Sequence, residues 1–288
     1  MFCSAACFRI DRSSGRLTRL NSQTVSDLSC CHISCAVDGS LLFGADYGHA
    51  KAAVFALDSE GRISPPAELL KFRDANGANP GRQSDPHVHS INPDVSGHYV
   101  FVCDFSADEI KVYEIEMETK QLNFVSSACV APGSGPRHLV CHPNGKNVYV
   151  INELNGTIVS FDFINGELKQ EQVVETLPAD YKQDNTTAEI AISPDKHFLY
   201  ASNRGHDSIA YYRIDSETGM LSLQGLVSTE GKHPRNFTID PTGKFMLVSN
   251  RDSGNVAVFG LDHETGKPLY TGNKIRLSVP MCISIIEP

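Results

Sequence analysis

The feature that most constrains the fold is a repeat of roughly 50 residues that recurs five times along the chain. The turn prolines Pro93, Pro143, Pro194 and Pro241 are separated by 50, 51 and 47 residues. A second marker, an Asp or Asn that follows an apolar run, recurs at spacings of 58, 48, 51 and 47 residues. These markers are Asp46, Asp104, Asn152, Asn203 and Asn250. The spacing predicts a chain of similar modules.

Each repeat contains about four short segments rich in Val, Ile, Phe and Tyr, with turn residues between them. Such segments are typical of β-strands, and no long window shows the 3.6-residue period of a helix. The repeat length and strand content predict an all-β propeller made of four-stranded antiparallel blades. A solenoid is the alternative, but solenoid repeats are usually shorter or helical.

The two ends of the chain match parts of the repeat. Residues 4–21, "SAACFRIDRSSGRLTRLN", match the last two strands of a unit, and residues 278–288, "SVPMCISIIEP", match a first strand. A propeller closes by building one blade from both chain ends, which removes exposed sheet edges. The composite blade expected here lacks its second strand.

The polar residues of each repeat cluster at two positions. In a blade the first two strands are antiparallel, so the start of the first and the end of the second meet at the same end of the sheet. We expect these positions of successive blades to converge on one surface. The starts of the first strands carry His32, His87, His89, Arg137, His138, Glu189, Arg235 and Asn236. The ends of the second strands carry, after the Asp or Asn markers, Tyr47, Phe105, Glu153, Arg204 and Arg251.

These polar residues need not all serve function. An Asp or Asn at a strand end commonly holds a turn by accepting backbone N–H bonds, and this is the expected role of the five markers. A turn needs no long charged side chain, so Arg137, Glu153, Arg204 and Arg235 are candidate functional residues. An Arg137–Glu153 salt bridge without chemistry is the alternative, and His138 fits either a core or a site role.

Composition excludes several classes of protein. A formal charge of −9 argues against a nucleic-acid partner, and no apolar run reaches the roughly 18 residues of a membrane helix. The N-terminus lacks the pattern of a signal peptide. The nine cysteines lie mostly in apolar runs and include no C-x-x-C pair, which indicates a reducing, cytoplasmic location. We expect no metal, because the H-x-H pair lacks an evident third ligand, and no cofactor, because phosphate-binding glycine loops are absent.

With these residues identified, the chain resembles the lactonase family of seven-bladed β-propellers. That family includes bacterial-type 6-phosphogluconolactonase and fungal carboxy-cis,cis-muconate cyclase. The resemblance spans essentially the whole chain and rests on "PHVHS", "GSGPRHLVCHPNGK", "INELNGTI", "AEIAISPD", "LYASNRGHDSIA" and "GKHPRNFTIDPTGKFMLVSN". It implies that residues 1–288 form a single propeller domain that lacks the first one to two blades of the family.

The resemblance also implies residue roles. The catalytic residues would be His89, Arg137, Glu153 and Arg204. The substrate-binding residues would be His87, His138, Glu189 and Arg235.

Hydrolysis of a sugar lactone, 6-phosphogluconolactone above all, is the function that the resemblance implies. Glu153 or His89 would be the base, the arginines would hold the oxyanion or a phosphate, and the enzyme would act without metal in the pentose phosphate pathway. We expect a phosphorylated sugar lactone as the ligand, no nucleic-acid or membrane partner, and a monomer or weak homo-oligomer. Lactonisation of a carboxylated muconate and a catalytically inactive binding platform are the alternatives.

Overall fold

A computed structural model describes residues 3–286 of the chain. This range contains twenty-two β-strands and no α-helix, and therefore no helix that could cross a membrane. The chain divides into two compact units, residues 3–137 with 163–169 and residues 138–162 with 170–286.

The first unit contains one hairpin and two four-stranded antiparallel sheets, each sheet with its strands in chain order. The hairpin pairs β1 (Cys3–Ile10) with β2 (Leu17–Val25). The first sheet comprises β3 (His32–Cys35), β4 (Leu41–Asp46), β5 (Lys51–Leu57) and β6 (Ile63–Lys71). The second comprises β7 (Val88–Pro93), β8 (Tyr99–Asp104), β9 (Glu109–Glu116) and β10 (Gln121–Cys129).

Three more four-stranded sheets follow, and most of their residues belong to the second unit. The third comprises β11 (Pro136–Cys141), β12 (Asn147–Asn152), β13 (Thr157–Ile164) and β14 (Glu167–Glu175). The fourth comprises β15 (Thr186–Ile192), β16 (Phe198–Arg204), β17 (Ser208–Ile214) and β18 (Leu221–Ser228). The fifth comprises β19 (Pro234–Ile239), β20 (Phe245–Asn250), β21 (Asn255–Leu261) and β22 (Pro268–Arg276).

The sheets pack through the apolar side chains of their inner strands. In the first unit Phe43 and Val54 share a buried cluster with Ile91 and Val102 of the next sheet. Strands β4 and β12 are buried along their whole length, whereas β14 and β22 are largely exposed. Each large apolar side chain removed from water contributes about 1.5–3 kcal/mol, so the inner strands supply most of the stability.

Two equivalent tyrosines tie neighbouring sheets of the second unit together. The Tyr149 hydroxyl donates to the Gly219 carbonyl at 2.7 Å, and the Tyr200 hydroxyl donates to the Gly266 carbonyl at 2.9 Å. Each tyrosine lies on a second strand, and each glycine lies in the outer turn of the following sheet. Equivalent positions of two sequence repeats therefore make the same contact between neighbouring sheets.

The predicted strand pattern is confirmed, with one exception. The five four-stranded sheets match the five repeats, and residues 3–25 form the two paired strands expected from the N-terminal match. The first strand predicted at 278–288 is wrong for the described residues 278–286, which contain no strand. Residues 287 and 288 lie outside the described range. A strand needs a hydrogen-bonded neighbour, and no strand among residues 3–276 pairs with this segment. Instead the Ile283 amide donates to the Asn236 side chain at 2.9 Å.

Candidate active site

The predicted meeting of first-strand starts and second-strand ends is present in the sheets. Val88 at the start of β7 pairs with Asp104 at the end of β8. Thr186 likewise pairs with Arg204, and Pro234 with Asn250. The polar residues beside these pairs therefore lie at the same end of their own sheet.

The markers Asp46 and Asp104 accept backbone amides in their turns as predicted, whereas Asn203 and Asn250 instead donate to backbone carbonyls at the end of the preceding sheet. Asp46 is fully buried, and its carboxylate accepts the backbone amides of Ser29 at 2.6 Å and His49 at 3.1 Å. The Asn203 side chain donates to the Thr176 carbonyl and accepts the Thr176 hydroxyl, each at 2.8 Å. The Asn markers therefore join neighbouring sheets rather than hold their own turns.

The first unit places His87 and His89 in an aromatic cluster with Tyr47 and Phe105. The rings of Tyr47 and His87 are stacked with centroids 4.0 Å apart, and Tyr47 meets His89 edge-on at 5.7 Å. His87 Nδ1 lies 2.7 Å from the Tyr47 carbonyl oxygen, which can only accept, so Nδ1 is the donor of this hydrogen bond. The His89 side chain, 5% exposed, is held between Tyr47 and Phe105. The cluster fixes both imidazoles in place.

Arg137 also belongs to the first unit and is 3% exposed. Burial raises the pKa of the Cys103 thiol to about 12 and that of Cys31 above its usual value, and the positive charge of Arg137 opposes both shifts. The Cys31 thiol in turn contacts the His89 carbonyl oxygen at 3.3 Å. The charge of Arg137 therefore acts on Cys31, whose thiol contacts the backbone of His89.

The second unit brings Glu153 and Arg204 together in a buried ion pair. Arg204 Nη2 lies 2.9 Å from Glu153 Oε2, and the two side chains are only 6% and 4% exposed. Thr187 joins them through its backbone, because its amide donates to the Glu153 carbonyl at 3.1 Å and its carbonyl accepts from Arg204. The pair links the end of β12, the start of β15 and the end of β16.

A second polar group lies at the starts of the first strands of this unit. His138 Nδ1 is 3.0 Å from Glu189 Oε1, and Asn236 donates to Glu189 Oε2 at 2.7 Å. The His138 and Glu189 side chains are 13% and 16% exposed. Glu189 therefore orients an imidazole and an amide from the two flanking sheets.

Arg235 contributes to a strongly positive environment at the start of β19. Burial lowers the pKa of the neighbouring His233 to about 4, and the charges of Arg204, Arg251 and Arg235 lower it further against the opposing effect of Asp252. The arginine charges disfavour an imidazolium at this position, whereas burial, the largest cause of the pKa shift, disfavours a charge of either sign.

The structure thus places the predicted residues in two sets. His87, His89 and Arg137 lie in the first unit, and His138, Glu153, Glu189, Arg204 and Arg235 lie in the second. Within residues 3–286 no three His, Cys, Asp or Glu side chains form a group that could hold a metal ion.

The sequence analysis assigned no role to Tyr47, Arg82 or His233. A signal existed for Tyr47, because it follows a marker Asp at the position that Glu153 and Arg204 occupy in their own repeats. Arg82 lies in the long segment 72–87 between β6 and β7, where the repeat offers no equivalent position for comparison.

Comparison with known proteins identifies relatives along nearly the whole chain. The family model described as "Lactonase, 7-bladed beta-propeller" matches residues 2–285. A 6-phosphogluconolactonase of Formosa agariphila is 39% identical over 246 residues, which are 82% of this chain and 67% of that protein. A 6-phosphogluconolactonase of Bacillus subtilis is 34% identical over 238 residues, with the same coverage.

The similarity extends to solved structures. The periplasmic gluconolactonase of Pseudomonas aeruginosa superposes with a TM-score of 0.89 at 32% identity, and the alignment covers 96% of this chain and 78% of that one. The strand order, the repeat and these matches agree with one another, and the chain belongs to the lactonase family of seven-bladed β-propellers.

Proposed function

We propose that the protein hydrolyses a sugar lactone, with 6-phosphogluconolactone as its substrate and 6-phosphogluconate as its product. The observation that carries this proposal is the burial of three charged side chains at strand ends, those of Arg137, Glu153 and Arg204. Burying charge costs free energy that the fold does not require here, so function is the better explanation. The names of the relatives support the same reaction.

In the proposed mechanism His89, Arg137, Glu153 and Arg204 act as one catalytic set. His89 accepts a proton from water, and the resulting hydroxide adds to the lactone carbonyl carbon. Arg137 and Arg204 stabilise the oxyanion that develops, after which the ring C–O bond breaks and the ring oxygen takes up a proton. The ion pair with Arg204 stabilises the carboxylate form of Glu153, which favours His89 over Glu153 as the base and gives Glu153 the role of orienting Arg204.

The remaining predicted residues bind substrate in this proposal. His138 and Glu189 offer a donor and acceptor set suited to sugar hydroxyls, and the charge of Arg235 suits an anion. His87 supports His89 through the ring of Tyr47. The substrate would make the protein a cytoplasmic enzyme of the pentose phosphate pathway.

The test is hydrolysis of 6-phosphogluconolactone, followed by acid release at low pH, where spontaneous hydrolysis is slow. We expect Arg137→Gln to lower kcat/KM by roughly 100-fold or more, because it removes an oxyanion donor. The control is Arg213→Gln, the same substitution at an arginine that is exposed on β17 and lies outside the proposed site.

Two results would contradict the proposal. One is a wild-type protein that does not accelerate lactone hydrolysis above the rate in buffer. The other is an Arg137→Gln variant that is as active as the Arg213→Gln control.

A further inference from the structure

The segment 72–87 between β6 and β7 is held rigidly by buried polar contacts. Gln83 is fully buried, and its side-chain amide donates to the Phe105 carbonyl at 2.8 Å and to Asp108 Oδ1 at 2.9 Å. The Asn76 amide donates to the Ser106 carbonyl at 2.9 Å. The segment is therefore attached to the turn after β8 at two separate places.

Asp108 is the centre of this attachment. Its carboxylate, 2% exposed, accepts the side chains of Gln83 and Asn76 and the backbone amides of Gly133 and Gly135. Four donors satisfy a buried carboxylate without an arginine. The two side-chain contacts hold the segment beside the turn that follows β8.

Arg82, the residue before Gln83, extends instead into the aromatic cluster around the histidines. Its Nη2 donates to the Tyr47 hydroxyl at 3.3 Å, and its guanidinium carbon lies 5.3 Å from the centroid of the Phe105 ring. Tyr47 contacts both His87 and His89. One aromatic ring therefore separates a guanidinium group from the proposed base.

This arrangement suits a phosphoryl group. A guanidinium presents parallel N–H donors that match two phosphate oxygens, and the face of Phe105 supports its flat side. The Tyr47 hydroxyl accepts from Arg82, and it donates to no other residue in the range that the structure describes. Its own proton makes the hydroxyl a second donor beside the guanidinium.

We propose that Arg82 and Tyr47 bind the phosphoryl group of the substrate and set the preference for phosphorylated over neutral sugar lactones. The inference rests on the proposed lactonase function and assigns a specificity-determining pair to it. Arg235, the other cation considered for this role, is the competing assignment.

The test compares 6-phosphogluconolactone with unphosphorylated gluconolactone for the wild type, Arg82→Gln, Arg82→Lys and Tyr47→Phe. We expect Arg82→Gln to lower kcat/KM for the phosphorylated lactone by roughly 10- to 100-fold and to change that for the neutral lactone by less than about threefold. Arg82→Lys keeps the charge but not the paired N–H donors, so its kcat/KM for the phosphorylated lactone should lie between the values of the wild type and Arg82→Gln. Tyr47→Phe should lower kcat/KM for the phosphorylated lactone as well, but by a smaller factor than Arg82→Gln.

Equilibrium binding separates this inference from the proposed reaction. Calorimetric titration with 6-phosphogluconate and with gluconate measures the phosphate preference even if neither lactone is hydrolysed. We expect the wild type and Arg213→Gln to bind 6-phosphogluconate more tightly than gluconate, and Arg82→Gln to lose that preference. The melting temperature of each variant confirms that it is folded.

Three results would overturn the inference. The first is a wild type that binds 6-phosphogluconate and gluconate equally tightly. The second is an Arg82→Gln variant whose kcat/KM falls by the same factor for both lactones. The third is a loss of the preference for the phosphorylated acid in Arg235→Gln but not in Arg82→Gln. A wild type that hydrolyses neither lactone yet shows the Arg82-dependent binding preference would contradict the proposed function and leave this site intact.

Discussion

The buried ion pair between Glu153 and Arg204 makes a sharp prediction for a double-mutant cycle. Arg204→Met leaves a carboxylate almost without solvent, and Glu153→Gln leaves a guanidinium in the same position. Replacing both removes both charges. We expect each single variant to be strongly destabilised and the double variant to recover most of the loss.

The magnitude follows from burial. Breaking a buried ion pair by removing one partner costs about 3–5 kcal/mol, because the other charge stays desolvated, whereas removing both partners is often nearly neutral. The matched control is the pair between Arg9 and Glu60, which has the same N–O distance of 2.9 Å but side chains 61% and 55% exposed. Removing one partner of that pair should cost at most about 1 kcal/mol.

The assay is urea unfolding of the two single variants, the double variant and the control, with the free energy of unfolding extrapolated to water. Lactone hydrolysis is measured on the same samples. The account predicts a coupling energy of roughly 2–5 kcal/mol and loss of activity in all three variants of the buried pair, including the stable double variant. The reasoning would be refuted if the two single substitutions lowered the free energy of unfolding additively and by no more than the control substitution in the Arg9–Glu60 pair.

Two further predictions concern the ends of second strands. Burial raises the pKa of Asp104 from 3.8 to about 7, so between those values the folded state holds a proton that the unfolded state has released, and stability falls as the pH rises. The unfolding free energy of wild type relative to Asp104→Asn should therefore decrease by roughly 2–4 kcal/mol between pH 4 and pH 8, and urea titrations that show a constant difference would exclude this linkage. Gly205, which follows Arg204, has a φ of +125° and would place a Cβ 2.3 Å from the Asp184 carbonyl oxygen, so Gly205→Ala should lower both stability and activity. Gly15→Ala, at a φ of +68° with open space around it, should cost only about 1 kcal/mol, and equal thermal shifts for the two variants would contradict the steric argument.

The repeat made the positions of the strands predictable. Apolar runs bounded by turn residues located β12 and β16, and strand pairing then placed Glu153 and Arg204 at the ends of those strands. The role of Asp46 in its turn was predictable for the same reason, because its short side chain bonds the adjacent backbone. The role of Asn203 was not, because its side chain bonds Thr176 of the preceding sheet. Local chemistry of this kind is encoded within a few residues.

Contacts between side chains from different repeats were not predictable in this way. The sequence analysis did not anticipate the ion pair of Glu153 with Arg204 that the second unit forms. Thr187 contacts both residues, because its amide donates to the Glu153 backbone carbonyl and its carbonyl accepts from the Arg204 side chain, and no spacing in the sequence encodes these contacts. Arg82 was missed because its segment lies outside the repeat and is positioned by Asp108, 26 residues further along.

The most direct test of the central claim is a crystal structure with 6-phosphogluconate bound. The account predicts that the carboxylate of the product, which corresponds to the former lactone carbonyl, contacts Arg137 and Arg204. Binding instead in the cavity of about 330 Å³ lined by Phe198, Tyr200 and Lys244, with neither arginine in contact, would contradict it.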